Sequence, residues 1–298
     1  MSILRALFPL TLASLTTLAL GPLIGCGGDD SDLFSSTGAG GGGGAGGGGV
    51  PTEGDHLLIS ELLAEPEDGE FIEIWNPTGA TIALDNYYLS DNSIYFEIAN
   101  GLPWDPNGTL GNDFLVRFPP GSTLVPDAVL VLATTPGFEI EHGQCADYAV
   151  TSLPVPCAAS GTSTTPMVAP ENGALGTQGT GLFTNDGEML VLFRWSGVAG
   201  EPVKDVDYMV WGEGLGESVR IDKTGEAGYA PDTARQLQRS IPIPANGQSL
   251  ERCGLETGER LTGGNGLTGH DETSEPLDQT FASTATPSPG HKNACLPH

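Results

Sequence analysis

From His56 onward the chain is a succession of short apolar runs separated by Gly, Pro, Asn and Asp. Leu57-Leu58-Ile59-Ser60-Glu61-Leu62-Leu63 is apolar enough to predict a buried strand. Phe71-Ile72-Glu73-Ile74-Trp75 alternates, which puts Ile72 and Ile74 on one face of a strand and Phe71, Glu73 and Trp75 on the other. Asn76-Pro77-Thr78-Gly79 follows as a turn. Further strands are predicted at Ala83-Leu84, Tyr87-Tyr88-Leu89, 113–118, 128–133, 188–195 and 205–211. Beyond the N-terminal segment no stretch carries a capped helical period, so the pattern is that of an all-β sandwich. Two stretches, 138–181 and 212–247, are too irregular for strands and are predicted as long insertions, which in compact domains tend to be functional or disordered.

The N-terminus follows a different logic. Arg5 precedes an apolar run from Ala6 to Leu20, which is short for a membrane span of about 20 residues. Leu23-Ile24-Gly25-Cys26 then resembles the L-x-G-C lipobox of bacterial lipoproteins. Residues 1–25 are therefore predicted to be a lipoprotein signal peptide and Cys26 the lipidated first residue of the mature chain. Residues 26–54, almost pure glycine from Gly38 to Gly49, bury no apolar surface and are predicted to be a disordered tether. About 28 residues of such coil span roughly 30 Å. Residues 55–298 form the folded part. The predicted location is the bacterial cell envelope, and Gly27 after the cysteine favours the outer membrane by resemblance to sorting rules.

Charge narrows the partners. The net charge is -27, and between Gly27 and Phe193 there are 23 acidic residues against one base, Arg117. Such a surface repels nucleic acid, whose affinity is built from Lys and Arg contacts to phosphate. It keeps an exported protein soluble and suits divalent cations such as calcium. Four cysteines follow Cys26, an even number in keeping with an oxidising compartment. Of the three pairings, the local one, Cys145–Cys157 with Cys253–Cys295, is expected, because each bridge closes a turn-rich segment. No C-x-x-C exists and no cysteine has a histidine at zinc-finger spacing, so a structural zinc site is not expected.

Candidate chemistry is sparse. There is no G-x-S-x-G elbow. Asp105-Pro106-Asn107-Gly108 to Asn112-Asp113 gathers oxygen donors around glycine, which makes Asp105, Asn107 and Asp113 a candidate calcium loop without the EF-hand order. Asp91-Asn92 reads as turn chemistry. His270-Asp271-Glu272 has the residue types of a metal ligand set or a general base, but its polar, glycine-rich surroundings read as solvated loop. Glu70 and Glu73 point to opposite faces of a strand and cannot share a site. Among Trp75, Trp104, Trp195 and Trp211, the loop residue Trp104 is the candidate for an exposed ligand contact.

Several segments, in order, resemble the lamin tail domain, an immunoglobulin-like sandwich also found in bacterial secreted proteins. They are Leu58 to Leu62, Glu70 to Pro77, Leu84 to Asp91, Phe118 to Leu124 with 129–133, Asn185 to Leu192, Gly247 to Arg252 and Thr286 to Asn293. The resemblance implies an immunoglobulin-like β-sandwich and places Ile72 and Ile74 against the opposite sheet, with Ile59 and Leu84. It implies a non-catalytic binding or structural module, with a protein or polysaccharide partner left open. The competing reading is a metal-dependent hydrolase using acidic loop residues. No cofactor is expected apart from calcium.

Overall fold

The computed structural model describes residues 53–102, 113–179, 181–184, 186–212 and 219–296. Cys26, the tether through residue 52, Trp104, Asp105 and Asn107 lie outside them, while Gly54, predicted as the end of the disordered tether, donates from its amide to Glu256 at 3.0 Å. In chain order the strands are β1 (Leu58–Leu63), β2 (Phe71–Trp75), β3 (Ile82–Ala83), β4 (Tyr87–Ser90), β5 (Leu115–Arg117), β6 (Thr123–Leu124), β7 (Val129–Ala133), β8 (Tyr148–Ala149), β9 (Pro156–Cys157), β10 (Thr162–Ser163), β11 (Thr165–Pro166), β12 (Met189–Arg194), β13 (Lys204–Val210), β14 (Ser249–Arg252) and β15 (Phe281–Thr284). A seven-stranded sheet in the order β11-β8-β7-β2-β1-β14-β15 and a four-stranded sheet in the order β13-β12-β4-β5 form the sandwich. The fold is all-β, as the strand pattern predicts. The larger sheet is antiparallel except where β7, β8 and β11 run parallel.

Ile59, Ile72, Ile74 and Leu84 all lie in the core between the sheets, together with Leu89, Leu130, Leu132, Leu192 and Leu250. A bulge makes this possible. β1 pairs with β2 through Ile59 opposite Ile74 and then Leu62 opposite Ile72, so Ser60 is the extra residue. Without it the period of two would bring Glu61 into the core.

The opposite face of β2 is also covered. Phe71 packs with Leu63, Val131, Ala133 and Phe138, and Trp75 packs with Leu58 and Leu296. Glu73, between them, is fully buried, accepting from Ser60 Oγ at 2.8 Å and from the Gly290 amide at 2.8 Å. The reason lies in two segments that the local pattern could not position. The 138–181 insertion lays a short helix α1 (Phe138–His142) on this face and extends the sheet beyond β7 with β8 and β11, and the Cys145–Cys157 disulfide closes it. The C-terminal segment crosses the same face and is tied down by Cys253–Cys295. Both expected disulfides are thus formed. By the chain-entropy account they are worth about 3 kcal/mol for the short loop and about 4 kcal/mol for the longer one.

Candidate carboxylate site and its surroundings

Three adjacent strands of the smaller sheet begin or end at one edge. The register sets Ser90 of β4 opposite Val191 of β12 and Leu115 of β5. The residues just beyond those strand ends are Asp91, Glu188 and Asp113, and their carboxylates come within 4.8 Å of one another. They line a groove of about 430 Å³ with Asn92, Ser93, Ile94, Thr184 and Val219.

Each acid is held in place. The Phe114 amide donates to Asp91 Oδ1 at 2.7 Å, Asn92 Nδ2 donates to Asp113 Oδ2 at 2.6 Å, and the Thr184 amide donates to Glu188 Oε2 at 2.8 Å. Asn92 is itself fixed by its turn, its side-chain oxygen accepting from the Ile94 amide at 3.0 Å. Asp91 Oδ2 is buried and has no hydrogen-bond partner among the described residues. Burial, and then the charges of Glu188 and Asp113, hold the Asp91 carboxyl well above the ordinary aspartate range. Burial also pushes Glu188 up to about 7, with the Thr184 amide opposing and Asp113 adding to the rise. Three convergent carboxylates with one buried oxygen to spare form a hard, oxygen-only donor set. Calcium takes six to eight such ligands at about 2.3–2.6 Å and magnesium fewer and more rigidly. Of the predicted calcium residues, Asp113 is at this site and Asp105 and Asn107 fall outside the described residues. Asp91 and Glu188 were not legible as ligands because strand adjacency, not sequence spacing, brings them together.

No family model matches the chain, and no curated protein matches it. Among solved structures it is similar to a DUF4876 family protein from Bacteroides thetaiotaomicron VPI-5482. That likeness has a TM-score of 0.45 and 16% identity, covering 82% of this chain and 74% of the other.

The remaining candidates fall into place around the sandwich. Trp75 and Trp211 are buried. Trp195 is half-buried, donating from Nε1 to the Glu201 carbonyl at 3.0 Å and lying 5.9 Å from the Tyr88 ring. Glu70 and Glu73 do serve separate places, Glu70 accepting from the Leu182 amide at 2.7 Å. His142 Nε2 sits 2.7 Å from the Gly69 carbonyl and ties α1 to the chain ahead of β2. The solvated-loop reading of His270-Asp271-Glu272 is corrected: all three are buried. The glycine-rich turn wraps them. The Gly266 amide donates to the His270 carbonyl at 2.9 Å and the Asp271 amide to the Arg260 carbonyl at 2.9 Å.

Proposed function

We propose that this chain is a lipid-anchored cell-envelope protein whose β-sandwich serves as a non-catalytic binding or structural module with a calcium site at Asp91, Asp113 and Glu188. The observation that carries the cation reading is the buried, partnerless Asp91 Oδ2 facing two further carboxylates. The all-oxygen donor set favours calcium over softer ions. In this reading calcium joins the ends of β4, β5 and β12, and the partner is a protein or a polysaccharide of the cell surface. Nucleic acid is a poor partner for a chain of net charge -27. The hydrolase alternative would use these same convergent carboxylates to hold a metal-bound water, and hydrolytic turnover that depends on Asp91, Asp113 and Glu188 would favour it over the binding module.

Calorimetric titration with calcium tests the reading. One equivalent is expected to bind to the unaltered protein, with binding lost in Asp91→Asn. Equal binding by both proteins overturns the site. The anchor has its own test. Cys26→Ser is expected to move the protein from the membrane fraction to the soluble one, and recovery in membranes at the unaltered level overturns the lipid assignment.

A further inference from the structure

At the far end of the larger sheet, four separate stretches bring histidines and carboxylates together out of water. His56 leads into β1, Asp207 lies on β13, Glu256 and Glu259 follow β14, and His270 and Glu272 follow the glycine-rich turn. His56, Asp207, Glu256, His270 and Glu272 are between 0% and 3% exposed, and Glu259 is 8% exposed. Their ligand atoms group within 4.8 Å in three overlapping sets: His56, His270 and Glu272; Glu256, Glu259 and His270; and Asp207, Glu256 and Glu272.

Part of this chemistry is self-contained. Arg252 is fully buried and engages Asp207 at 2.8 Å and Glu275 at 2.6 Å, with its guanidinium 4.6 Å above the Phe281 ring. Glu256 also feels the Arg252 charge and accepts from the Gly54 amide at 3.0 Å, whereas Glu259 and Glu272 look to the imidazoles of His270 and His56. His56 meets carboxylates on both sides, Nδ1 at 2.9 Å from Asp55 and Nε2 at 2.7 Å from Glu256. His270 is different. Neither of its ring nitrogens, neither oxygen of Glu259, nor Glu272 Oε1 has a hydrogen-bond partner among the described residues. The nearest approach, His270 Nδ1 to Glu259 Oε2, is 3.4 Å, which is long for a hydrogen bond. A network joined by protons alone leaves these five buried polar atoms unsatisfied, and each such atom carries a desolvation cost. Tetrahedral ligand atoms at about 2.1 Å from an ion lie about 3.4 Å apart, and each set here falls within 4.8 Å, so a modest closure of one set onto a single cation is all that is needed.

The geometry points to a buried centre for one divalent first-row transition-metal ion of the zinc type, held by the set His56, His270 and Glu272, with Glu256, which already meets His56 Nε2, as the fourth ligand and Glu259 beside it. Imidazole donors distinguish it from the oxygen-only calcium site and select a borderline ion. Asp55 against Nδ1 is the carboxylate that orients a metal-ligating histidine and fixes its tautomer. Gly266 lets the turn close over the ligands, since a Cβ there would come within 2.5 Å of Glu272 Oε1. The ligands are buried on all sides, as in structural sites with no open coordination position. The ion joins the lead-in to β1 to the segment that Cys253–Cys295 also secures. This centre departs from the expectation of no structural zinc, which rested on cysteine spacing alone, because its donor set contains no cysteine.

The test uses the full chain, purified without added metal. Elemental analysis is expected to find about one equivalent of a zinc-type ion. In the Asp91→Asn variant, which lacks the calcium site, stripping with a strong chelator should lower the melting temperature, and zinc should restore it where calcium does not. His270→Gln is expected to lose the ion. Should that variant fail to fold, Asp55→Asn touches no ligand position and is expected to weaken zinc binding about 10-fold or more in chelator competition. Asp91→Asn should leave zinc binding unchanged, which separates this centre from the calcium site. The proposal is overturned if the unaltered protein carries no metal and zinc does not shift its melting. It is equally overturned if Asp55→Asn binds zinc at the original affinity.

Discussion

Replacing Lys223 with methionine is expected to destabilise the domain by about 3–5 kcal/mol, a large part of the roughly 5–15 kcal/mol that holds such a fold. Lys223 belongs to the irregular 212–247 excursion and is fully buried. Its Nζ donates to Asp205 Oδ2 at 2.7 Å and to the Tyr95 hydroxyl at 3.1 Å, and lies 3.3 Å from Asp232 Oδ2. Tyr95 in turn donates to Asp205. Burial alone would lower the lysine pKa, and the two aspartates reverse that and raise it. Methionine keeps the apolar stem and removes the charge, which leaves Asp205 and Asp232 buried without a cation. The loss is therefore mainly the cost of the stranded carboxylates, not the net worth of the pair. Lys204→Met, at an exposed position, should change stability by no more than about 0.5 kcal/mol. Urea unfolding of the two variants decides the matter, and a cost below about 1 kcal/mol for Lys223→Met sinks the account.

Lys223 also marks where the sequence stops being legible. Strands β1, β2, β4, β5, β7, β12 and β13 follow from short apolar runs or, at β2, from alternation, and both are local properties of the chain. β14 and β15 are short and carry Arg252 and polar residues, so their pattern alone does not mark them as core strands. What covers the outside of a sheet is not local at all. Phe71, Glu73 and Trp75 alternate correctly with Ile72 and Ile74, yet both sets are buried, because α1 and the C-terminal segment return from distant parts of the chain. The candidate sites show the same limit. The calcium pattern around Asp113 marks one of the three convergent carboxylates, since Asp91 and Glu188 join it only through the order of β4, β5 and β12. His270 sits among glycines and polar residues that read as solvated. Its burial depends on His56 and Glu256 arriving from elsewhere.

Adjacent positions of β2 give the sharpest contrast, and the two substitutions should differ in sign at pH 8. Ile74 is fully buried and stands opposite Ile59 on one side and Leu130 on the other. Truncation to alanine opens a cavity between the sheets and is expected to cost about 2–5 kcal/mol, much the same at pH 5 and pH 8 because no titrating group is removed. Glu73 is the pH-sensitive neighbour. Burial pushes its carboxyl up to about 8, with the Ser60 hydroxyl opposing the rise and Glu61 across the strand adding to it. Glu70 is also pushed up to about 8, by burial foremost. An acid whose folded pKa exceeds its unfolded value stabilises the fold below about 4.5, and that contribution is lost as the pH rises through about 8. Within this window each group lowers stability by up to about 1.4 kcal/mol per pH unit. Glu73→Gln can turn its carbonyl to the Gly290 amide and its amide to Ser60 Oγ, so it mimics the protonated acid. It should be near neutral at pH 5 and stabilising at pH 8, with a flatter dependence of the urea midpoint on pH. A variant as pH-dependent as the unaltered protein would mean that Glu73 is ionised in the fold at neutral pH. Its two hydrogen bonds would then outweigh the cost of burying its charge.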